Sequence, residues 1–168
     1  ICYLVSLLRH LNFKSEQDII PPIPLNITDE SRSKIDPILA PFKTSFKIGI
    51  AWSGNAKHTN DHKRSMDLKY FLDLFKVPYL EIFALMKEEK KNSIKALEIS
   101  DLIHDMAPII HSFSDTSALV EQMDLIITVD TSLAHVAGSL GKPTWVLLPH
   151  FPDWRWMLSR TDSPWYPS

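Results

Sequence analysis

The chain has 168 residues, 45% of them apolar, which suits a single compact unit at roughly 100 to 200 residues per domain. Its longest apolar runs are about a strand in length, far below the roughly 20 residues that cross a bilayer, so no membrane span is expected. Eighteen basic against 20 acidic side chains leave a net charge of −2, which excludes a global field that gathers nucleic acid or anionic lipid, so any anion site must be local.

Residues Ile1 to Leu8 (ICYLVSLL) form an apolar run rich in β-favouring side chains and predict a buried strand. From Leu11 to Ser45 the periodicity fades, and Pro21, Pro22, Pro24, Pro37 and Pro41 predict a linker with one short helix around Ser31 to Leu39. Apolar strands then alternate with amphipathic helices, the pattern of a doubly wound, Rossmann-like α/β fold with a parallel sheet. Phe46 to Trp52 is a predicted strand, Leu68 to Val77 a helix with Phe71, Leu72 and Phe75 on its buried face, and Tyr79 to Met86 a strand. Lys87 to Leu97 reads as a solvated helix, and Ile99 to Phe113 as one or two short strands. Asp115 is expected to N-cap a helix running to Met123. Asp124 to Asp130 predicts a strand, Thr131 to Leu140 a helix ended by Gly141 and Pro143, and Thr144 to Pro149 a further strand. A right-handed crossover in this βαβ unit places the Asp130 turn and the loop after Trp52 at one carboxyl edge of the sheet.

Two polar clusters follow predicted strands. In the first, Asp130, Thr131 and Ser132 start a helix whose free N–H groups and partial positive charge attract phosphate. His135 lies on the same helical side as Thr131 and Ser132, within reach of such an anion. The same turn also reads as a plain N-cap with an exposed histidine. The second cluster is the long loop Ser53 to Ser65. There Ser53, Gly54 and Asn55 allow backbone to approach a ligand, and Lys57 and Arg64, with Lys63, supply cations suited to a diphosphate. Such charges equally serve as a solvated surface. His58, Asp61 and His62 lack the helix that would converge them on zinc, so no metal site is expected. Trp154, Trp156 and Trp165, beside Arg155 and Arg160, form either a stacking surface for a base or sugar or an aromatic cluster that seals the carboxyl edge.

No Ser-His-Asp order, C-x-x-C pair or H-E-x-x-H string is present, and four glycines without G-x-G-x-x-G or G-x-x-x-x-G-K-[ST] exclude dinucleotide and P-loop fingerprints. The single cysteine, Cys2, has no intramolecular partner and follows no charged-then-apolar leader, which points to the cytoplasm. An opening at Ile1 and a close after Trp165, Tyr166, Pro167 and Ser168 point to a fragment of a longer chain.

The string DLIITVDTSLAHVAGSLGKPTWVLLPHFPDWRW, from Asp124 to Trp156, resembles the donor-binding half of family 9 glycosyltransferases, whose best-known members are heptosyltransferases. WSGNAKHTNDHKRS (Trp52 to Ser65) and DSPWYPS (Asp162 to Ser168) resemble a bacterial branch in which this domain follows tetratricopeptide repeats, and the likeness runs from about Ser6 to the end. The resemblance implies the C-terminal half of a GT-B enzyme. Residues 1–8 are then the closing strand of an N-terminal domain, 9–45 the interdomain linker, and 46–168 a nucleotide-sugar-binding domain truncated at its end. By the family's pattern, Asp130, Thr131, Ser132 and His135, with Ser53, Gly54, Asn55, Lys57, Arg64 and Ser65, hold the donor diphosphate. The implied reaction moves a hexosyl, heptosyl or N-acetylglucosaminyl group from a nucleotide-diphosphate sugar, without a cofactor, to a protein, lipid or glycan. The acceptor and the catalytic base belong to the N-terminal half, which leaves the fragment inactive by itself. The chain departs from the pattern at Met86, Lys87 and Glu88, where a Gln-Lys-Gly-like string is frequent, and at Ala56 and Leu8, where proline is frequent. A GT-B-like interaction module that has lost its donor, and half of a sugar-nucleotide epimerase, are the alternatives.

Overall fold

Short runs of β-branched and aromatic residues build a five-stranded sheet whose paired strands are all parallel. The computed structural model describes residues 10–23, 25–55, 61–86 and 92–166; the strand expected over Ile1 to Leu8, and Ala56, Lys57 and His58, lie outside these. The strands are β1 (Phe46–Ala51), β2 (Leu80–Ala84), β3 (His104–Asp105), β4 (Leu125–Val129) and β5 (Thr144–Leu147). The helices are α1 (Asp29–Leu39), α2 (Asp61–Arg64), α3 (Asn92–Ala96), α4 (Phe113–Glu121) and α5 (Ser132–Ser139). No described helix is long and apolar enough to cross a membrane.

The strand order is β3-β2-β1-β4-β5, so the chain winds outward in one direction from β1 and in the other from β4. With crossovers of one hand, that reversal puts the connecting helices on opposite faces. Phe83, Ala51 and Ile126 pack with Ile35 and Leu39 of α1, Leu119 and Val120 of α4, and Leu133 and Ala137 of α5. The alternate residues Ile48, Ile50, Ile82 and Ile127 pack on the other face with Leu68, Phe71 and Ile94. Period-2 alternation thus splits each strand between two cores. Gly49 is needed in the middle of β1, because a Cβ there would lie 2.6 Å from Leu85 Cδ1 and 2.7 Å from Ile126 Cδ1.

Several elements differ from the sequence expectation. Leu68–Lys76 is a 3-10 helix rather than an α-helix. Its expected buried face holds: Phe71 is buried, and Leu72 and Phe75 pack beside it against the core, together with Leu68 and Leu74. The Ile99 to Phe113 region contains one two-residue strand and the 3-10 turn Ala107–Ile109. The helix expected in the proline-rich stretch is present as α1, and its Ile35 and Leu39 are almost wholly buried against α4, so this part of the segment read as a linker packs into the domain.

Asp115 is not the N-cap of α4. Ser112 is the cap, its hydroxyl accepting from Asp115 N–H, while the Asp115 carboxylate, at the third helical position, accepts from Ser112 N–H in a capping box. The same carboxylate takes a 2.9 Å bond from His111 N–H, a 2.9 Å bond from the Ser31 hydroxyl and a 2.7 Å ion pair from Lys34. One buried group therefore ties α1 to the start of α4 and pins the loop before it. Burial pushes this carboxyl up, but the bonds from Lys34, His111, Ser31 and Ser112 outweigh it and hold it well below the usual carboxylate range.

An unfolded Asp titrates near ~3.9, so the stabilisation from Asp115 is whole above that value and is lost as the pH falls below it. We expect the melting temperature to drop more steeply on acidification from about pH 5 to about pH 2 in the parent chain than in Asp115→Asn. At neutral pH the variant should be less stable by about 2 to 3 kcal/mol, the scale of hydrogen bonds to a charged group. Parallel melting curves for the two chains would exclude this role for the carboxylate.

Candidate functional site

β1 and β4 are hydrogen-bonded neighbours, with Ile50 opposite Ile127 and Ala51 opposite Thr128, so the loops after them leave the sheet side by side. This is the point where the strand order reverses, and the crevice outside the carboxyl ends of such strands is where open α/β sheets bind ligands. A cleft of about 910 Å³ occupies it, within the roughly 300 to 1,000 Å³ usual for small-molecule sites.

One wall comes from the two predicted polar clusters: Ser53, Gly54, Asn55 and Arg64 from the first loop, Thr131 and Ser132 from the start of α5. Arg64 joins them, its Nη1 donating to the Asp130 carbonyl at 3.0 Å. Ser65 supports the loop from behind, accepting a 3.2 Å bond from Gly54 N–H. Ser53 is buried, and its hydroxyl has no hydrogen-bond partner among the described residues, which is unusual for a buried polar atom. Thr131 is the N-cap of α5, accepting from Leu133 N–H at 3.3 Å. The first turn of α5 contains no acidic residue, so nothing within it offsets the positive end of the helix dipole.

The opposite wall is Met86 after β2 and Pro108, His111, Phe113 and Thr116 around the start of α4. Here the first turn carries its own acid, Asp115, whereas the first turn of α5 carries none, so the two helix ends that meet the cleft differ in character. Sequence reading missed this wall, because its residues lie on irregular segments without a motif. Met86, which stands where a Gln-Lys-Gly-like string was considered, lines the cleft and receives a 3.3 Å contact from Trp52 N–H on its sulfur.

Two expectations change. His135 does not line the cleft: its Nδ1 is 2.9 Å from the Tyr166 hydroxyl, and its ring stacks on Trp156 at 5.7 Å. The side of α5 that carries His135 is covered by the C-terminal segment, where the Tyr166 ring lies so close to Gly138 that a Cβ there would sit 2.3 Å from it. Trp154, Trp156 and Trp165 likewise form no cleft wall; Trp165 packs edge-on to Trp154 and donates from its indole to Arg155 C=O at 3.0 Å. Lys57 lies outside the described residues. Asp61, considered only as a metal ligand, faces Arg64 instead, with Oδ1 3.4 Å from Nε; the i,i+3 spacing of the two was the available signal. Among the described residues no cluster of three or more His, Cys, Asp and Glu is arranged to hold a metal.

Residues 84–148 match the model of glycosyltransferase family 9 (heptosyltransferase), a segment that runs from the last residue of β2 to just past β5. Among solved structures the chain is similar to the glycosyl transferase family 9 protein from Veillonella parvula DSM 2008, with a TM-score of 0.57 and 15% identity over 75% of this chain and 37% of that one. It is also similar to ADP-heptose lps heptosyltransferase II of E. coli, with a TM-score of 0.51 and 15% identity over 73% of this chain and 38% of that one. The chain thus spans well under half the length of either, and at this identity the likeness is one of fold, that of a GT-B-like Rossmann half. A search of curated proteins finds no match.

Burial pushes the His135 imidazole below its ordinary value; nearby Asp130 opposes the shift and Arg155 adds to it. Protonation is therefore resisted in the folded chain, and the stability from this packing is present above about pH 6.5 and lost as the pH falls below it. An NMR titration of the His135 ring should give a midpoint below that of a free histidine, and Trp156→Ala should raise it. A midpoint at the free value in the parent chain would contradict the enclosed arrangement.

Proposed function

We propose that this chain is the donor-binding half of a glycosyltransferase and holds a nucleoside diphosphate sugar in the β1/β4 cleft. The observation that carries the proposal is the buried Ser53 hydroxyl, without a partner among the described residues, in a residue that lines the cleft together with Arg64 and the start of α5. A phosphate oxygen satisfies all three at once. The diphosphate lies against Ser53, Gly54, Arg64, Thr131 and Ser132, and the neutral nucleoside points toward Pro108 and Phe113, where the α4 end offers no positive field. His135 acts behind this surface by packing α5.

In transfer, bonds to Arg64 and the α5 N–H groups strengthen as negative charge grows on the departing diphosphate, with Lys57 as a further cation and no metal invoked. Deprotonating an acceptor needs a general base. In this reading, as the resemblance implies, the base and the acceptor site belong to a further N-terminal domain, and this chain by itself turns nothing over. The resemblance of the Trp52 to Ser65 loop to the repeat-linked branch supports tetratricopeptide repeats in the same protein, a cytoplasmic setting, and a hexosyl, heptosyl or N-acetylglucosaminyl group as cargo.

The test is calorimetric titration of the chain with ADP, UDP, GDP and inorganic pyrophosphate. Binding is expected between roughly 1 µM and 1 mM and should weaken with salt. Arg64→Ala should weaken it about tenfold or more, the scale of one charge-assisted hydrogen bond. If neither the diphosphates nor pyrophosphate bind, the cleft is not a donor site and the interaction-module reading takes its place.

A further inference from the structure

Arg64 meets the cleft wall from a four-residue helical turn in a long loop, so something other than secondary structure must fix its guanidinium. A free arginine side chain carries about 2 kcal/mol of rotamer entropy, and an anion that has to immobilise it binds correspondingly less well. Two contacts hold the group here. Nη1 donates to the Asp130 carbonyl at 3.0 Å, and Nε faces Asp61 Oδ1 at 3.4 Å. Asp61 is only 5% exposed and is not among the residues that line the cleft, so its carboxylate sits beneath the arginine rather than opposite a bound anion. Gly54 leaves room for the pair: a Cβ there would lie 2.6 Å from Asp61 Oδ1 and 2.7 Å from Arg64 Nη2. The absent side chain therefore leaves the Nη2 edge of the fork beside the Gly54 backbone, on the cleft wall.

We infer that Asp61 is a positioning residue: with Nη1 on the Asp130 carbonyl and Nε on Asp61, it pre-orients the Arg64 guanidinium so that Nη2 is presented to the phosphate corner. The inference rests on the donor-site reading above and adds to it a dependence of Arg64 on a buried acid that itself touches no ligand. A buried carboxylate kept for this purpose also explains why an acidic group is tolerated beside an anion site. At 3.4 Å from Nε it offsets part of the arginine's charge, while restricting the arginine to one rotamer.

The test is a double-mutant cycle on the 168-residue chain, with inorganic pyrophosphate as the titrant and the Arg64 Nε–Hε NMR resonance as a readout that needs no ligand. Asp61→Asn is expected to weaken pyrophosphate binding about three- to tenfold in the parent background and less than about twofold in Arg64→Ala, and to collapse the Arg64 resonance toward its free position. Equal weakening in both backgrounds, or an unchanged Arg64 resonance, overturns the inference. If Asp61→Asn disturbs the backbone amide spectrum broadly, Arg64→Lys carries the cycle. Lysine keeps the charge but cannot bridge two acceptors, so it should bind pyrophosphate as weakly as Arg64→Ala does; parent-like binding by Arg64→Lys overturns the inference. If the parent chain binds no pyrophosphate, the donor-site reading fails separately. The Arg64 resonance then decides the positional claim: sensitivity to Asp61→Asn upholds it, and indifference overturns it.

Discussion

The hydrogen bond from Arg64 to the Asp130 carbonyl joins residues 66 positions apart, and the candidate site depends on it. It forms only because β1 and β4 are adjacent although a long excursion through β2, β3 and three helices separates them in the chain. Parallel pairing sends both strands out of the same edge, and reversal of the strand order at this pair leaves a gap there that no crossover covers. A neutral carbonyl as acceptor has a further consequence. It anchors the guanidinium without adding a negative charge of its own, so the charge that offsets the arginine there comes from the Asp61 carboxylate beside Nε.

Around that corner the molecule separates charge by burial. Asp115 is surrounded by donors and spent on structure, drawing α1 onto α4 and neutralising one of the two helix starts beside the cleft. Asp61 lies under Arg64. The first turn of α5 holds no acid, and Ser53 has no partner among the described residues. A cleft with one electropositive wall and one neutral wall of Met86, Pro108 and Phe113 suits an elongated ligand that is anionic at one end.

The C-terminal segment stabilises this arrangement from behind. Trp156 and Tyr166 enclose His135, and Tyr166 lies directly on Gly138, so the side of α5 turned away from the cleft is packed rather than solvated. The interaction that turns His135 away from the cleft is thus the one that holds the helix whose first turn lines it. The aromatic-rich ending, which on composition alone suits either a base-stacking platform or a packing cluster, serves as packing.

Strand positions, the βαβ unit and the two polar loops were legible in the residues, because alternation and helical periodicity are local properties of a chain and persist whatever it packs against. The resemblance carried by Asp124 to Trp156 and Trp52 to Ser65 added the fold family. Partner choice was not legible. Asp115 looks like an N-cap until Ser112 takes that role and Lys34 arrives from α1. His135 looks like an anion ligand until Tyr166, 31 residues later, claims its nitrogen. The far wall of the cleft consists of irregular loops with no periodic signal, and Leu68–Lys76, whose apolar spacing suits an α-helix, is a 3-10 helix. The sequence by itself determined which residues are apolar, polar or charged along each element. Only the tertiary structure decided which of the polar ones face the cleft and which are consumed by one another, since that choice depends on contacts between segments far apart in the chain.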